Sequence, residues 1–188
     1  MNLFIDTSNN KLIFILEKDN KIIDSFFLDN QIRISDIALE ELQKFLNKNN
    51  LTIHDIKSLY ATKGPGSYTG VRVAITIIKT LKTVNEKFKV FLLSSLAYQA
   101  SNKKTISILD AKGSKIYIGI YQEAKNIIED QIIPLDYLEE FEKQFKDFNV
   151  VKDYKDIDFK ECFLLTKDSF QEIKNVEDIK PLYIKHFI

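Results

Sequence analysis

Three short stretches of this 188-residue chain hold the residue types that phosphate or nucleotide chemistry uses. Asp6-Thr7-Ser8 closes an apolar run. Thr62-Lys-Gly-Pro-Gly-Ser-Tyr-Thr-Gly70 carries three of the chain's five glycines and stands between two apolar runs. Leu109-Asp-Ala-Lys-Gly-Ser-Lys-Ile-Tyr117 again puts an aspartate at the end of an apolar run. A glycine-rich turn that feeds a helix presents backbone N–H groups and the positive end of the helix dipole, which is where phosphates bind.

The glycine loop departs from the known phosphate cradles. A Walker loop needs G-x-x-x-x-G-K-[ST]. Here five residues separate Gly64 from Gly70, and Val71 stands where the lysine belongs. The dinucleotide pattern G-x-G-x-x-G also fails, because Thr69 occupies the third glycine position. Backbone amides, the Ser67 and Thr69 hydroxyls and a helix N-terminus remain. Asp6, Thr7, Gly64, Gly66 and Ser67 are therefore the candidates for a weak nucleotide or anion site. The competing reading is a tight turn, with Pro65 fixing one φ and the glycines admitting left-handed or close-packed backbone.

In actin-like ATPases and sugar kinases the first strand ends in an aspartate followed by a glycine-bearing phosphate turn. Asn9-Asn10 follow Asp6, and the glycine is missing. Asp110 ends a strand in a similar setting and is followed by Ala-Lys-Gly. Two such aspartates point to a duplicated actin-like fold with weakened nucleotide chemistry, or else to two ordinary turn caps.

Other chemistry is poorly provided for. His54 and His186 have no neighbour at metal-ligand spacing. The lone Cys162 sits in Cys-Phe-Leu-Leu and can form neither an internal disulfide nor a cysteine metal site; a buried thiol is expected. No G-x-S-x-G elbow occurs. Lys+Arg and Asp+Glu are 27 each, so the formal net charge is zero, which argues against autonomous RNA binding. No window reaches the roughly 20 apolar residues of a membrane span, nor does the beginning read as a secretory signal. A reducing cytoplasm is the expected location.

The positioning elements read as follows. Asn2–Asp6, Lys11–Glu17 and Lys21–Leu28 form a three-strand meander with turns at Asn9-Asn10 and Asp19-Asn20. Arg33–Asn49 is a helix, capped by Ser35 or Asp36, whose inner face holds Ile34, Ala38, Leu39, Leu42, Phe45 and Leu46. Ile37 points to its polar side. Lys57–Ala61 is a strand, Tyr68–Val84 a helix, Lys89–Leu93 a strand and Ser94–Ala100 a short helix. Thr105–Asp110, Lys115–Gln122 and Asn126–Ile133 form a second meander. Pro134–Phe145 follows as a helix, with Pro134 in its first turn. Asn149–Val151 and Cys162–Thr166 are weak strand candidates. The order is that of an α/β chain with two halves of similar plan, residues 1–101 and 102–188.

On the Tyr68–Val84 helix an apolar arc of about 200° holds Val73, Val84, Ile77, Gly70, Leu81, Ala74, Ile78, Val71 and Ile75. The remaining arc carries Arg72, Lys79, Thr69, Thr76, Thr80 and Thr83. Short hydroxyl side chains allow another helix to come close.

Ile5-Asp6-Thr7-Ser8, Lys63-Gly-Pro-Gly-Ser-Tyr-Thr-Gly-Val-Arg72, Leu109–Tyr117 and the closing Lys180-Pro-Leu-Tyr-Ile-Lys185 together resemble the TsaB (YeaZ) family, in order over nearly the whole chain. The resemblance implies a two-lobed actin-like (ASKHA, ribonuclease-H-like) duplicated fold with an abbreviated second lobe. It implies a non-catalytic accessory subunit in making threonylcarbamoyladenosine (t6A) beside the tRNA anticodon. It implies a heterodimer with the catalytic paralogue TsaD, joined by the ATPase TsaE, with a homodimer as another possible pairing. The chain would then have no cofactor of its own, ATP/ADP and metal belonging to the partner complex, and would meet tRNA only through that complex. Carried onto this chain, the interface lies on the two N-terminal helices, at Ile37, Glu41, Lys44, Tyr68, Thr69, Arg72, Thr76 and Lys79. A degenerate actin-like ATPase or kinase acting alone is the alternative. Two departures stand out. Ala74 replaces a family glycine, and Lys115 reverses the charge of a family glutamate.

Overall fold

A computed structural model describes residues 1–29 and 33–184. The expectations for Lys185 and His186 lie outside the described residues. Strands β1 (Asn2–Asp6), β2 (Leu12–Lys18) and β3 (Lys21–Leu28) form the antiparallel meander. Asp19 and Asn20 turn the second hairpin with φ of 53° and 60°, the left-handed pair that matches strand twist and that Asp and Asn tolerate. β4 (Ser58–Thr62) adds parallel to β1, and β5 (Lys89–Leu93) parallel to β4. β10 (Gln171–Ile173) closes that edge antiparallel to β5, giving the order β10-β5-β4-β1-β2-β3.

Both faces of this sheet are covered, which is why its central strands read as continuous apolar runs. Alternation along β1 sends Leu3 and Ile5 to one face and Phe4 to the other. Helices α1 (Ile34–Lys48) and α2 (Tyr68–Val84) cover the first face, with Ala38, Leu42 and Phe45 meeting Ala74, Ile75 and Ile78 over Leu3, Ile5 and Phe14. The second face packs on α3 (Ser95–Ala100) and α5 (Phe159–Thr166). There Phe4 lies 4.9 Å from the Tyr98 ring and 5.0 Å from Phe163.

The second sheet comprises β6 (Thr105–Asp110), β7 (Lys115–Gln122), β8 (Lys125–Pro134) and β9 (Asn149–Lys152), in the order β8-β7-β6-β9 with β9 parallel to β6. Its Ile106, Ile108, Ile116, Ile118 and Ile120 form a third core cluster, flanked by Leu138 and Phe141 of α4 (Leu138–Gln144). Third, second, first, fourth is also the order of the first sheet up to β4. The fold is thus the expected actin-like duplication, its second half without a counterpart of β5.

Several expectations are corrected. Cys162–Thr166 lies in helix α5, not a strand; Asp158 caps it by accepting from the N–H groups of Lys160 and Glu161. Cys162, Phe163 and Thr166 are its buried positions, spaced as a helix face rather than as alternation. Pro134 ends β8, and a 3-10 turn at Leu135–Tyr137 precedes α4. Arg33, not Ser35 or Asp36, occupies the N-cap of α1, with no side-chain bond. Leu39 is 65% exposed, whereas Ile37 packs partly buried against the core. Both flank the buried stripe by about 100° on the wheel, so composition could not rank them. Val84, at the end of α2, is 81% exposed. β10 is an addition to the expected elements.

Candidate functional site

The Asp6 turn and the glycine loop are built against each other. Asp6, Thr7 and Ser8 are all buried. The Ser8 N–H donates to Asp6 Oδ1 at 2.7 Å. The Tyr154 hydroxyl, from the loop after β9, donates to Asp6 Oδ2 at 2.7 Å and lies 3.1 Å from Ser8 Oγ. Thr7 Oγ1 donates to the Gly70 carbonyl at 2.6 Å and accepts from the Ala74 N–H at 3.1 Å. The Ser67 N–H donates to the Ser8 carbonyl at 2.7 Å. Ser67 is the N-cap of α2, its hydroxyl accepting from the Gly70 N–H.

Two glycines make this contact possible. A Cβ on Gly66 would stand 2.3 Å from the Ser8 carbonyl oxygen, and one on Gly70 2.1 Å from that of Thr7. Both are closer than any side chain permits. The Ser67 N–H is thus spent on the neighbouring turn, and the Ser67 hydroxyl on the cap of α2.

Asp110 has the opposite surroundings. It is exposed, and it accepts from the Lys112 N–H at 2.8 Å and from Lys112 Nζ at 2.7 Å. These bonds hold its carboxyl below the usual carboxylate range. Lys112 lines a polar cleft of about 450 Å³ between the halves, with Lys11, Asp29, Ser67, Tyr68 and Asp110. Both lysines there are paired, Lys11 with Asp29 at 2.6 Å and Lys112 with Asp110. Among the described residues no group of three His, Cys, Asp or Glu could hold a metal ion.

The outer face of α2 presents Tyr68, Thr69, Arg72, Thr76, Thr80 and Thr83 to solvent, with Lys79 half-buried. Between α1 and α2 runs an apolar groove of about 400 Å³, bordered by Leu39, Leu46, Ile53, Thr76, Ile77 and Leu81 among others. Of the interface candidates, Thr76 lines this groove. Tyr68, Thr69 and Arg72 lie N-terminal to it on the same helix. Ile37, Glu41 and Lys44 do not line it, and Lys44 is engaged with Glu40 and Glu41 at 2.7 and 2.9 Å.

Sequence reasoning missed three contributors. Tyr154 and Tyr183 reach their partners across more than a hundred residues, as in the 2.7 Å bond from Arg72 Nε to the Tyr183 hydroxyl. Asp130 on β8 receives the hydroxyls of Ser94 and Tyr121. Burial pushes the Asp130 carboxyl up, and it pushes the Tyr121 phenol up as well. Cys162 is buried as expected, and burial raises its thiol to about 11.

The family model described as TsaD, tRNA N6-adenosine threonylcarbamoyltransferase, matches residues 33–169. A Mycoplasma pneumoniae protein called uncharacterized protein MG208 homolog is 31% identical over 189 residues, covering 97% of this chain and 94% of that protein. The tRNA threonylcarbamoyladenosine biosynthesis protein TsaB of Bacillus subtilis is 31% identical over 137 residues, 70% of this chain and 59% of that protein. YeaZ from Pseudomonas aeruginosa superimposes with a TM-score of 0.73 at 16% identity, over 97% of this chain and 99% of that one.

Proposed function

The chain belongs to the TsaB (YeaZ) family, and on that premise we propose that it acts in t6A biosynthesis as a non-catalytic subunit that docks a TsaD-like paralogue on α1 and α2. The single observation that carries this reading is the α1–α2 face. It offers an open apolar groove beside an arc of short hydroxyl side chains, which lets a partner helix approach closely. The turns support it from the other side. Asp6 and the loop Gly64–Gly70 are built into protein contacts, so the loop serves to set the N-terminus of α2 rather than to hold a phosphate.

In this reading the chemistry, with its ATP and metal, belongs to the partner complex. A TsaE-like ATPase joins the pair, and tRNA is met only through the assembly. The division into lobes falls near residue 101, with residues 171–179 returning to the first. The cytoplasm is the compartment; among the described residues no helix is long and apolar enough to cross a membrane.

The test is a pull-down of the tagged chain with its TsaD-like paralogue, read by mass spectrometry and light scattering. Wild type is expected to form a defined heterodimer, and Thr76→Arg, at the rim of the groove, to lose it. A chain that stays alone, or pairs only with itself, and turns over ATP in a manner abolished by Asp6→Ala would overturn the reading in favour of a solitary ATPase.

A further inference from the structure

Beyond β10 the chain runs back across the first half. Ile179 is buried in the core beneath α1 and α2. The Leu182 N–H donates to the Lys63 carbonyl at 2.6 Å. The Leu182 carbonyl oxygen lies 3.2 Å from where a Cβ on Gly64 would stand, and Gly64 has φ +94°. The segment is thus laid directly on the glycine loop. One residue further, the Tyr183 hydroxyl accepts from Arg72 Nε at 2.7 Å. The Arg72 guanidinium sits 3.9 Å from the centre of the Tyr68 ring, and the Tyr68 and Tyr183 rings are 5.8 Å apart.

This small cluster is ordered yet open. Tyr68, Arg72 and Tyr183 all remain exposed. A lone arginine on a helix surface loses much rotamer freedom when a partner immobilises it. Here a hydrogen bond and a ring fix it in advance. With Nε taken by Tyr183 and one plane face on Tyr68, the edge bearing the two terminal nitrogens meets no hydrogen-bond partner among the described residues. That edge matches a carboxylate in two-pronged fashion. The charge of the helix agrees: α2 carries Arg72, Lys79 and Lys82 and no acidic residue. Tyrosine and arginine are also the residue types in which interface energy concentrates.

We propose that Tyr183 is a positioning residue, holding Arg72 against Tyr68 so that the free edge of the guanidinium meets a carboxylate of the subunit docked on α2. The inference rests on the reading of the α1–α2 face given above and names the group that the face recognises.

The experiment is a double-mutant cycle on the affinity of the full chain for its TsaD-like paralogue, with thermal unfolding of each variant measured in parallel. Arg72→Ala is expected to weaken pairing about 30-fold, and Tyr183→Ala about tenfold. Tyr183→Phe, which keeps the ring and loses the hydroxyl, falls between wild type and Tyr183→Ala with an unchanged melting temperature. Combining Arg72→Ala with Tyr183→Ala costs no more than Arg72→Ala alone, because Tyr183 acts through Arg72. Multiplying effects in the double variant would overturn the proposal, as would wild-type affinity in both Tyr183 variants. Thr76→Arg separates the two readings. If it abolishes pairing while Tyr183→Ala pairs normally, this inference alone fails. If it too pairs normally, the docking face is wrong and both fail.

Discussion

Asp6 and Asp110 close the first strand of each half and differ in almost everything else. Asp6 is 1% exposed, both its oxygens are bound within the protein, and the turn after it is sealed by a glycine loop. The Asp110 side chain is 44% exposed and, among the described residues, holds Lys112 alone. The following turn stands free, since a Cβ on Gly113 would meet nothing within 4 Å. One plan, used twice, has become a packed joint in one half and an open surface turn in the other. In the first half the loop sets the N-terminus of α2 against the Asp6 turn; no helix starts at the equivalent turn of the second half, which leads straight into β7.

The comparison is tested most severely at the glycines. Gly70→Ala forces a methyl to within 2.1 Å of the Thr7 carbonyl oxygen and should cost about 3 kcal/mol or more in urea unfolding, at the upper end of overpacking effects. Gly113→Ala meets only its φ of +60° and should cost about 1 kcal/mol. Equal costs would mean that the first turn is not packed as described.

The aspartates come next. Asp6→Asn disturbs a buried acceptor of two hydrogen bonds and should cost about 2 kcal/mol. Asp110→Asn removes a surface pair and should cost less than about 0.5 kcal/mol. Chemical denaturation of the two variants side by side decides whether burial sets the difference.

Buried Glu17 and half-buried Asp130 extend the contrast to pH, with effects on the order of 1 kcal/mol. Glu17 in the first sheet is raised by burial but lowered more by Lys167, Asn2 and the Asn20 N–H, so its folded value lies below the ordinary one. Its stabilisation is present above the unfolded pKa and is lost as pH falls through the folded one. Asp130, near the second sheet's edge, is shifted upward by burial. The folded state then holds its proton more tightly, and stability falls as pH rises from about 4 towards the folded value. Urea midpoints between about pH 3 and 7 should show Glu17→Gln flattening the acid limb and Asp130→Asn flattening the decline above it. A shared sign for the two would break the contrast.

Most of the fold is legible in the residues because local signals agree. The meander reads from apolar runs and left-handed Asx turns, and α2 from a wide apolar arc behind a serine cap. What stays hidden is non-local. Nothing in Gln171-Glu-Ile173 marks a strand; β10 exists because β5 offers it an edge. Cys162–Thr166 reads as a strand because its apolar cluster is too short for periodicity to separate helix from strand, while Asp158 supplies the cap that decides it. For the site, the loop and the helix are visible in the sequence and the two tyrosines that complete them are not. Tyr183 stands in the closing motif Lys180-Pro-Leu-Tyr-Ile-Lys185, but neither it nor Tyr154 has a local signal of the partner it reaches, because both contacts span more than a hundred residues. On α1 the candidates Ile37, Glu41 and Lys44 lie apart from the groove, and Leu39, expected in the core, borders it.

The return of residues 171–179 to the first half has a consequence for synthesis. The first sheet lacks its closing strand, and its core lacks Ile179, until those residues have left the ribosome. At about 5–20 residues per second, the nascent first half waits several seconds with the β5 edge unpaired. A chain cut short before residue 171 would leave that edge open for good and expose a template for aggregation.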